Sequence, residues 1–589
     1  MQRQRRGGFG PPFLCLGIFG HGPIDPVRWH PYHRMVQPVI SAQQMREIDR
    51  LTVQNHNISS LQLMDAAAAA CLQAIATHLG GALVEKRMQI LCGPGNNGGD
   101  GAALARQLDS HGVQMDVILF GSVSDTSGDA RQNFEVLSNP NASGRVTHIN
   151  FIECHDATQW QEIAAVSSDY DVIVDALLGT GLKRPLTGVF AEVVKYLEVS
   201  RIRKLNADGP LIVSVDVPSG LDADQPQLIG PAVTANLTVT FTAPKIANVL
   251  PPASHLNGRL VIAEIGSPQA LVDAAESRLF LTEEKDAREW LVGTRYLPDS
   301  FKNTHGHVLV LAGSRGYTGA AVLCANAAMR AGAGLVTIGT PASSQNAIGA
   351  AVMPEVMTTA LAETDRGALS DEAIDHAVRL MAKVNAIAIG PGISATDERT
   401  RRFVHSLVEQ RKTAVVIDAD ALNCLSPWPT DLQGSDAAPL ILTPHAGEML
   451  RLLGTMDKSI LEDRVAVARE FATQHKLILV LKGSRSLIAA PDGRVFVNPT
   501  GNAGLGTAGA GDTLTGIIAA FVAQSVGTLK EKADPLKATI AALYVGGLAG
   551  DLAALKLGMR TMVASDIRAH LSDAIRSLDP KGEQPTFNQ

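Results

Sequence analysis

Two kinds of segment alternate along most of this chain. Short apolar runs typical of buried strands, such as 88–92 and 308–312, lead into glycine-rich turns, and apolar residues at helical spacing follow. The series runs to about residue 266 and starts again beyond residue 275. Strands that alternate with helices are typical of mostly parallel sheets. The pattern therefore predicts an α/β fold with two domains, which we place at 36–270 and 275–580.

The two ends of the chain fit neither series. Residues 1–35 combine several arginines with a short apolar run, and no small-residue cleavage site follows that run, as a signal peptide would require. We expect a disordered or spurious N-terminal extension there. The polar tail from Pro580 is expected to be loose.

The first domain has a polar, glycine-rich turn at 93–101, before a helix predicted from Ala102. The turn contains G-x-G-x-x-G between a strand and a helix, so an NAD-binding fingerprint is one reading. Against it, Asp100 places a carboxylate where a pyrophosphate would lie, and Asn96 and Asn97 add two amides. These groups favour a polar organic ligand or a monovalent cation.

Further polar residues follow other predicted strands of the first domain. Asp175 and Asp216 each end an apolar run, and Ser219 comes shortly after the second. Each residue alone is more often a turn residue or a helix cap. Because parallel strands bind ligands at their carboxyl ends, we expect Asn97, Asp175, Asp216 and Ser219 to share one crevice.

The second domain is organised around the stretch 502–516. It holds five glycines, and its only ionisable side chain is Asp512, where apolar residues at helical spacing begin. Bare backbone at a helix N-terminus is an anion site, because free N–H groups and the helix dipole point at the ligand. An aspartate there indicates a general base directed at a substrate hydroxyl. A simple helix cap is the alternative.

Other residues of the second domain favour phosphoryl transfer. Lys482 stands beside a glycine after a predicted strand, and no G-x-x-x-x-G-K-[ST] motif occurs, so this is not a P-loop enzyme. His445 follows another strand, where a general acid, a ligand contact and a buried structural histidine are all open; a ligand contact is favoured.

Composition narrows the class of protein. Hydrophobic residues make up 46% of the 589 residues, charged ones 19%, and the net charge is −7, which excludes a basic nucleic-acid surface. The longest apolar runs are strand-sized or broken by Gly and Pro, so no membrane-spanning helix is predicted. Six scattered cysteines without CxxC spacing predict reduced thiols, a cytoplasmic location and no zinc site.

At this point the motifs resemble known families. Gly509-Ala-Gly-Asp512 resembles the anion hole and base of the ribokinase superfamily. With 317–321, 330–334, 390–392, 418–423 and 443–448, it resembles the NAD(P)H-hydrate dehydratase family. The stretches 93–101, 175–181 and 214–222 resemble the NAD(P)H-hydrate epimerase family, whose domain is a Rossmann-like three-layer sandwich. Together they follow the order of the bifunctional NAD(P)H-hydrate repair enzymes, from about residue 40 to 578.

For the first domain, the resemblance implies interconversion of the R and S epimers of NAD(P)H hydrate. Asp216 would carry the proton, and potassium would be bound by Asn97, Asp175 and Ser219. The implied substrate contacts are Asn96, Asn97, Gly98, Gly99, Asp100, Gly179, Thr180, Gly181, Leu182, Lys183, Arg184, Pro185 and Asp216.

For the second domain, the resemblance implies dehydration of the S epimer at the expense of ADP, with Mg²⁺. Asp512 would be the base, and the hydrate would contact Ala320, Gly392, His445 and Asp512. The implied nucleotide contacts are Lys482, Gly483, Ser484, Arg485, Ser486 and Gly511. The only partners expected are these small molecules and a second copy of the chain, with no nucleic acid and no membrane.

Two rival functions stay open. One is a ribokinase-like small-molecule kinase fused to a Rossmann-like ligand-binding domain, which would form a stable phosphorylated product. The other is a nucleotide-binding sensor or scaffold, in which the acids of the first domain would be dispensable. Incubation with the hydrate mixture and ADP, followed by absorbance of the reduced nicotinamide, separates all three.

Overall fold

The computed structural model describes residues 36–139, 148–166, 170–204 and 209–581. The predicted N-terminal extension and most of the C-terminal tail lie outside these ranges. Within them the chain forms two sheets with helices on both faces, which confirms the predicted two-domain α/β fold. The strands are β1 Gln37–Pro38, β2 Arg87–Cys92, β3 Gln114–Phe120, β4 Ile149–Cys154, β5 Val172–Ala176, β6 Leu211–Val215, β7 Leu237–Phe241, β8 Arg259–Ala263, β9 Leu279–Leu281, β10 His307–Leu311, β11 Leu335–Pro341, β12 Met357–Leu361, β13 Ala386–Ile389, β14 Ala414–Ile417, β15 Leu440–Leu442, β16 Ile478–Leu481, β17 Leu487–Ala489 and β18 Val495–Val497.

The helices that cover the two sheets vary widely in length. They are α1 Ala42–His56, α2 Ser60–His78, α3 Asn96–Ser110, α4 Gly128–Ser138, α5 Ala157–Val166, α6 Gly188–Lys204, α7 Ile246–Val249, α8 Gln269–Asp273, α9 Glu284–Gly293, α10 Thr318–Arg330, α11 Gln345–Ala351, α12 Ile374–Met381, α13 Glu398–Glu409, α14 Asp420–Cys424, α15 Ala446–Leu452, α16 Arg464–Gln474, α17 Ala510–Gln524, α18 Pro535–Leu557, α19 Ala564–Ala569 and α20 Leu571–Leu578.

The first sheet has seven strands in the order β4-β3-β2-β5-β6-β7-β8, and all neighbours are parallel. Ile90 and Cys92 of β2 pack into one hydrophobic layer and Leu91 into the layer on the opposite face, so the sheet is covered on both sides. The chain reverses direction across the sheet between β2 and β5. Open parallel sheets bind ligands at such a switch point.

The second sheet has eleven strands in the order β1-β9-β18-β17-β16-β15-β14-β13-β10-β11-β12. From β12 to β16 the neighbours are parallel, and β17 with β18 forms the antiparallel hairpin that the sequence predicts around Pro491-Asp-Gly493. Val308 and Val310 face one hydrophobic layer and Leu309 and Leu311 the other. The switch point here lies between β10 and β13.

Two long helices form the centre of one layer on this sheet, and the sequence did not predict their length. The helical segments Ala510–Lys532 and Pro535–Leu557 are long and apolar enough to cross a membrane, by length and composition only. In each segment, 67% of the most apolar stretch of 18 residues is buried, and both segments contribute to the main hydrophobic core. Such burial is typical of the central helices of a globular α/β domain.

Two features depart from the predicted organisation. Residues Gln37–Pro38, assigned with the first domain, pair antiparallel with β9 and extend the second sheet. The sequence also predicts a second copy of the chain as a partner, but the alanine-rich helix α2 turns Met64, Ala68 and Cys71 into the core of the first domain. That face is therefore already occupied.

Candidate functional site

The first candidate site lies at the carboxyl edge of β2, β5 and β6, which are neighbours in the sheet. The turn after β2 leads directly into α3, which begins at Asn96 and not at Ala102 as predicted. Glycines usually disfavour a helix, so the sequence predicts a turn here, but close packing requires two of them. A Cβ on Gly93 would lie 1.9 Å from the carbonyl oxygen of Leu177, and one on Gly98 would lie 1.8 Å from the oxygen of Gly93. Two glycines of the G-x-G-x-x-G pattern are therefore required by close packing, without any dinucleotide.

Asn97, Asp175 and Ser219 are brought together at the switch point. The Asp175 carboxylate accepts hydrogen bonds from Ser214 Oγ (2.8 Å) and the Ser219 amide (2.9 Å), while Ser219 Oγ exchanges hydrogen bonds with the backbone of Leu178. Burial raises the pKa of Asp175, although these hydrogen bonds act in the opposite direction.

The Asn97 amide lies against the turn that follows β5. It is buried, and a Cβ on Gly179 would lie 3.0 Å from its Oδ1. Its Nδ2 has no hydrogen-bond partner among the described residues. An unpartnered buried amide N–H indicates a place where a ligand with a hydrogen-bond acceptor would find a partner.

Asp216 follows β6 with a φ of 65°, a left-handed conformation that is uncommon for a residue with a side chain. Its Oδ1 accepts hydrogen bonds from Lys245 Nζ at 2.5 Å and from Thr240 Oγ1 at 2.9 Å. Lys245 is only 1% exposed and also donates to the Phe241 carbonyl. A buried lysine thus holds the predicted proton carrier in place.

Two more carboxyl groups interact with this pair. The pKa of Asp49 is raised to about 6, mainly by burial, while Lys245 lowers it and the nearby Asp216 carboxylate raises it. Burial, then Asp216 and Asp49, raise the pKa of Asp100 well above its ordinary value. The sequence placed Asp100 in a loop, whereas in the structure it lies in α3. Its raised pKa favours the protonated form of the carboxyl group.

The remaining predicted contacts of the first domain lie around the same edge. Asn96 is exposed at the start of α3, and Gly98 and Gly99 are buried within its first turns. Lys183 donates to Asp222 Oδ1 (2.6 Å) and Asp224 Oδ2 (2.8 Å) and remains about half exposed. The loop after β5 carries Gly179, Thr180, Gly181, Leu182, Lys183, Arg184 and Pro185, all at least partly exposed.

The second candidate site is built on the N-terminus of α17. Gly509 is its N-cap at a φ of 83°, and Asp512 lies in the first turn, as predicted. Burial is the main cause that raises the pKa of Asp512 to about 6, with a further contribution from Asp418 and an opposing one from Lys482. A carboxylate with that pKa is ionised near neutral pH and can still accept a proton, as a general base must.

A buried ion pair lies close to this base and affects its pKa. Lys482 Nζ donates to Asp418 Oδ1 at 2.7 Å, and Thr515 Oγ1 donates to the other carboxylate oxygen, also at 2.7 Å. Burial alone would raise the pKa of Asp418, but the lysine and the hydroxyl outweigh it and lower the pKa. A Cβ on Gly511 would lie 3.4 Å from Lys482 Nζ, so the cation borders the helix N-terminus.

A cavity of about 930 Å³ opens beside this pair. Its lining includes all six residues predicted to contact the nucleotide, together with apolar side chains from α17 and α18. Arg464 fixes the turn after β16, because its guanidinium donates to the carbonyls of Leu481 and Ser484. The volume is within the range of small-molecule sites.

The predicted hydrate contacts of this domain lie in two places. A Cβ on Gly392 would lie 3.0 Å from that of Ala320, so these residues touch across the switch point between β10 and β13. His445 lines the 930 Å³ cavity and also caps α15, since its Nδ1 accepts hydrogen bonds from the amides of Gly447 and Glu448. Burial, then Lys482 and Arg451, lower its pKa, which disfavours a general acid.

A second cavity, of about 780 Å³, includes Tyr317, Arg401, Asp420 and Arg451 in its lining. Asp420 is among the carboxylates that raise the pKa of Asp512, and the first cavity is lined by the preceding residue, Gly511. Each cavity is therefore lined by a residue linked to Asp512, by sequence in one case and by charge in the other.

Several residues of these sites escape sequence reasoning. Lys245 and Asp49 carry no local motif, and only their approach to Asp216 and Asp100 in three dimensions marks them. Asp418 was also not singled out from the sequence. It lies in a recognisable motif directly after a buried strand, and that position could have identified it as a site residue.

Comparisons with known proteins assign a family to each half of the chain. Residues 60–247 match the family described as YjeF-related protein N-terminus, and residues 308–573 match NAD(P)H-hydrate dehydratase. A bifunctional NAD(P)H-hydrate repair enzyme from Moorella thermoacetica is 40% identical over 92% of this chain and 98% of its own length. The Escherichia coli enzyme of the same name is 30% identical over 81% of this chain and 83% of its own.

Among solved structures, an ADP/ATP-dependent NAD(P)H-hydrate dehydratase from Bacillus subtilis, co-crystallised with ATP and Mg²⁺, is 31% identical. The match covers 50% of this chain and 98% of that one, with a TM-score of 0.43. The two family matches and the full-length relatives confirm the resemblance seen in the motifs. The chain belongs to the family of bifunctional NAD(P)H-hydrate repair enzymes.

Proposed function

We propose that the two sites act one after the other on hydrated NAD(P)H: the first equilibrates its R and S epimers, and the second dehydrates the S epimer with ADP. Membership of the family confirms the predicted function, NAD(P)H-hydrate repair by an epimerase part and a dehydratase part. The assignment of individual residues to each step is our inference. The observation that carries it is Asp512, a base with a pKa of about 6 at a glycine-lined helix N-terminus.

In the first site, Asp216 takes or returns the proton that accompanies ring opening at the carbon bearing the hydroxyl. Its ion pair with Lys245 supports this role, because the buried lysine holds the carboxylate in one orientation. The neighbouring Asp100, whose pKa is raised well above its ordinary value chiefly by burial, is a second carboxyl group beside this base. The hydrate would lie over the turns after β2 and β5, against Asn96–Asp100 and Gly179–Pro185.

The switch point fits a monovalent cation. Asn97, Asp175 and Ser219 supply an amide, one carboxylate and a hydroxyl, so the set has a single formal charge. Mg²⁺ prefers more carboxylates and several waters. The amide of Asn97 would bind the cation through its oxygen Oδ1, which lies against the turn after β5, 3.0 Å from the position of a Cβ on Gly179. K⁺ bound there would fix the loop after β5.

In the second site, Asp512 accepts the proton of the hydrate hydroxyl. The hydroxyl oxygen then takes the terminal phosphoryl group of ADP, and AMP leaves. Phosphate is a good leaving group, so its departure with the C–O bonding electrons and loss of a ring proton restores the double bond of NAD(P)H. Lys482 and the N-terminus of α17 lie where they can offset the charge of the transferring group.

The two cavities give each reactant its own place. The cavity of about 930 Å³ suits ADP, because Lys482–Ser486 and Gly511 line it. The cavity of about 780 Å³ suits the hydrate, because Tyr317 and Asp420 connect it to Gly392 and to the base. We expect Mg²⁺ to accompany ADP, held chiefly by its phosphates and by water.

A single assay tests this function. The full chain is incubated with mixed R and S hydrates and ADP, and reduced nicotinamide is followed by absorbance. We expect complete recovery of NAD(P)H, with one AMP and one phosphate for each molecule repaired. A stable phosphorylated product would favour the kinase alternative, and no turnover would favour a nucleotide-binding scaffold.

A further inference from the structure

The nucleotide cavity of the second domain receives a side chain from the first domain. His255 lies on a turn just before β8 and lines the cavity of about 930 Å³. Its Nε2 is 2.9 Å from Ser484 Oγ, although 229 residues separate the two in sequence. His255 also lies outside both family matches, since the first ends at residue 247 and the second begins at residue 308.

The turn that carries His255 is held rigidly on its own side. Asn257 is 1% exposed, and its Nδ2 lies within hydrogen-bond distance of the carbonyls of Ala247, Asn248 and Ser254. Asn248 in turn donates to the Asp216 carbonyl. The imidazole is therefore presented by a buried network of amides and not by a loose loop.

The same region is anchored to the second domain. Val249 and Leu250 are buried in one hydrophobic cluster with strands β9, β16 and β17 of the second sheet. This packing fixes the distance between the turn and the cavity. His255 can therefore stay in the wall of the cavity while a nucleotide enters.

We propose that His255 is a nucleotide-binding residue, supplied by the epimerase part to complete the ADP site of the dehydratase part. The proposal rests on the nucleotide site inferred above. Basic side chains line one part of the cavity, namely His255, His445, Lys482 and Arg485, and apolar side chains of α17 and α18 line another part. This division places the diphosphate near His255 and the adenine on the apolar wall. When ADP binds, the hydrogen bond between His255 Nε2 and Ser484 is replaced by one to a diphosphate oxygen.

The test uses the full chain and the substitution His255→Ala, with His78→Ala as a matched control, because His78 is an exposed histidine at the end of α2. Loss of a hydrogen bond to a charged oxygen should raise the Kd and KM for ADP about tenfold. The kcat at saturating ADP should stay within about twofold, since the side-chain hydrogen bond of His255 among the described residues goes to Ser484 and not to Asp512, Asp418 or Lys482. The control should match the parent chain.

Two further measurements keep the proposal open to refutation. Adenosine, which lacks phosphates, should bind the His255→Ala chain as it binds the parent. The tenfold loss for ADP should also persist when Ser484 is already alanine, because the imidazole then still reaches the diphosphate. An unchanged Kd for ADP, or a loss that disappears in the Ser484→Ala background, would overturn the proposal. A parent chain that does not bind ADP would instead refute the nucleotide site itself.

Discussion

Replacement of Asp512 by asparagine separates its catalytic role from a structural one. The side chain keeps its size and loses the ability to accept a proton, so the dehydration rate should fall about 10²- to 10⁴-fold. ADP binding should persist, because the helix N-terminus and Lys482 are unchanged. If Asp512 were only a helix cap, Asp512→Asn should leave the dehydration rate nearly unchanged, since asparagine caps a helix as well as aspartate does.

The structure also gives the sign of the stability change. The pKa of Asp512 is raised from 3.8 to about 6 in the folded chain, mainly by burial. An acid whose pKa is raised on folding binds its proton more tightly in the folded state, so stability falls as pH rises from about 4 to about 6. At pH 7 the ionised group costs at most about 3 kcal/mol, less for the part of it that solvent reaches. Asp512→Asn removes that cost, and the chain should unfold at the same or a higher temperature.

The pH dependence provides the assay. The parent chain should lose dehydratase activity as pH falls through about 6, where Asp512 takes up its proton. The residual activity of Asp512→Asn should lack that step. Measurement of kcat/KM between pH 5 and about pH 8, with thermal unfolding at each pH, covers both expectations. Retention of most activity, or a clear loss of stability at pH 7, would refute the reasoning.

Two other predictions concern the first domain. Lys245→Met should abolish epimerisation and reduce the free energy of unfolding by about 3 kcal/mol, because it leaves a carboxylate without its buried partner. The control Lys195→Met, at an exposed ion pair on α6, should change either quantity little. Denaturant unfolding measures the stability, and an epimer assay measures the activity. A crystal soaked with rubidium should show anomalous density among Asn97, Asp175 and Ser219, and Asn97→Ala should remove it together with any dependence of epimerisation on monovalent cations. Density from water alone would count against the cation site.

Local sequence was sufficient for most strands and for the polar turns that follow them. Apolar runs such as 88–92 and 308–312 are buried strands, and Asp512 lies where glycines meet a helix. These features depend on periodicity and turn chemistry, which short windows contain. The convergence of Asn97, Asp175 and Ser219 also followed from the geometry of parallel strands, although their roles remain predictions.

Most of the features that sequence reasoning missed depend on distant contacts. Strand β1 has only two residues, and its partner β9 lies some 240 positions away. The start of α3 was misplaced because glycines usually disfavour helices, whereas here Gly98 is required by the turn beneath it. Lys245 is an isolated lysine in sequence, and only tertiary structure pairs it with Asp216.

The central claim is that two separate sites act in sequence, and one measurement tests it most directly. Asp216→Ala and Asp512→Asn chains are each given a mixed pool of R and S hydrates with ADP, and recovered NAD(P)H and the remaining epimers are measured. The Asp216→Ala chain should restore the S fraction plus whatever epimerises spontaneously, and Asp512→Asn should equilibrate the epimers but restore almost nothing. If Asp216→Ala stopped repair of the S hydrate while the chain still unfolded at its normal temperature, a single composite site would replace the two described here.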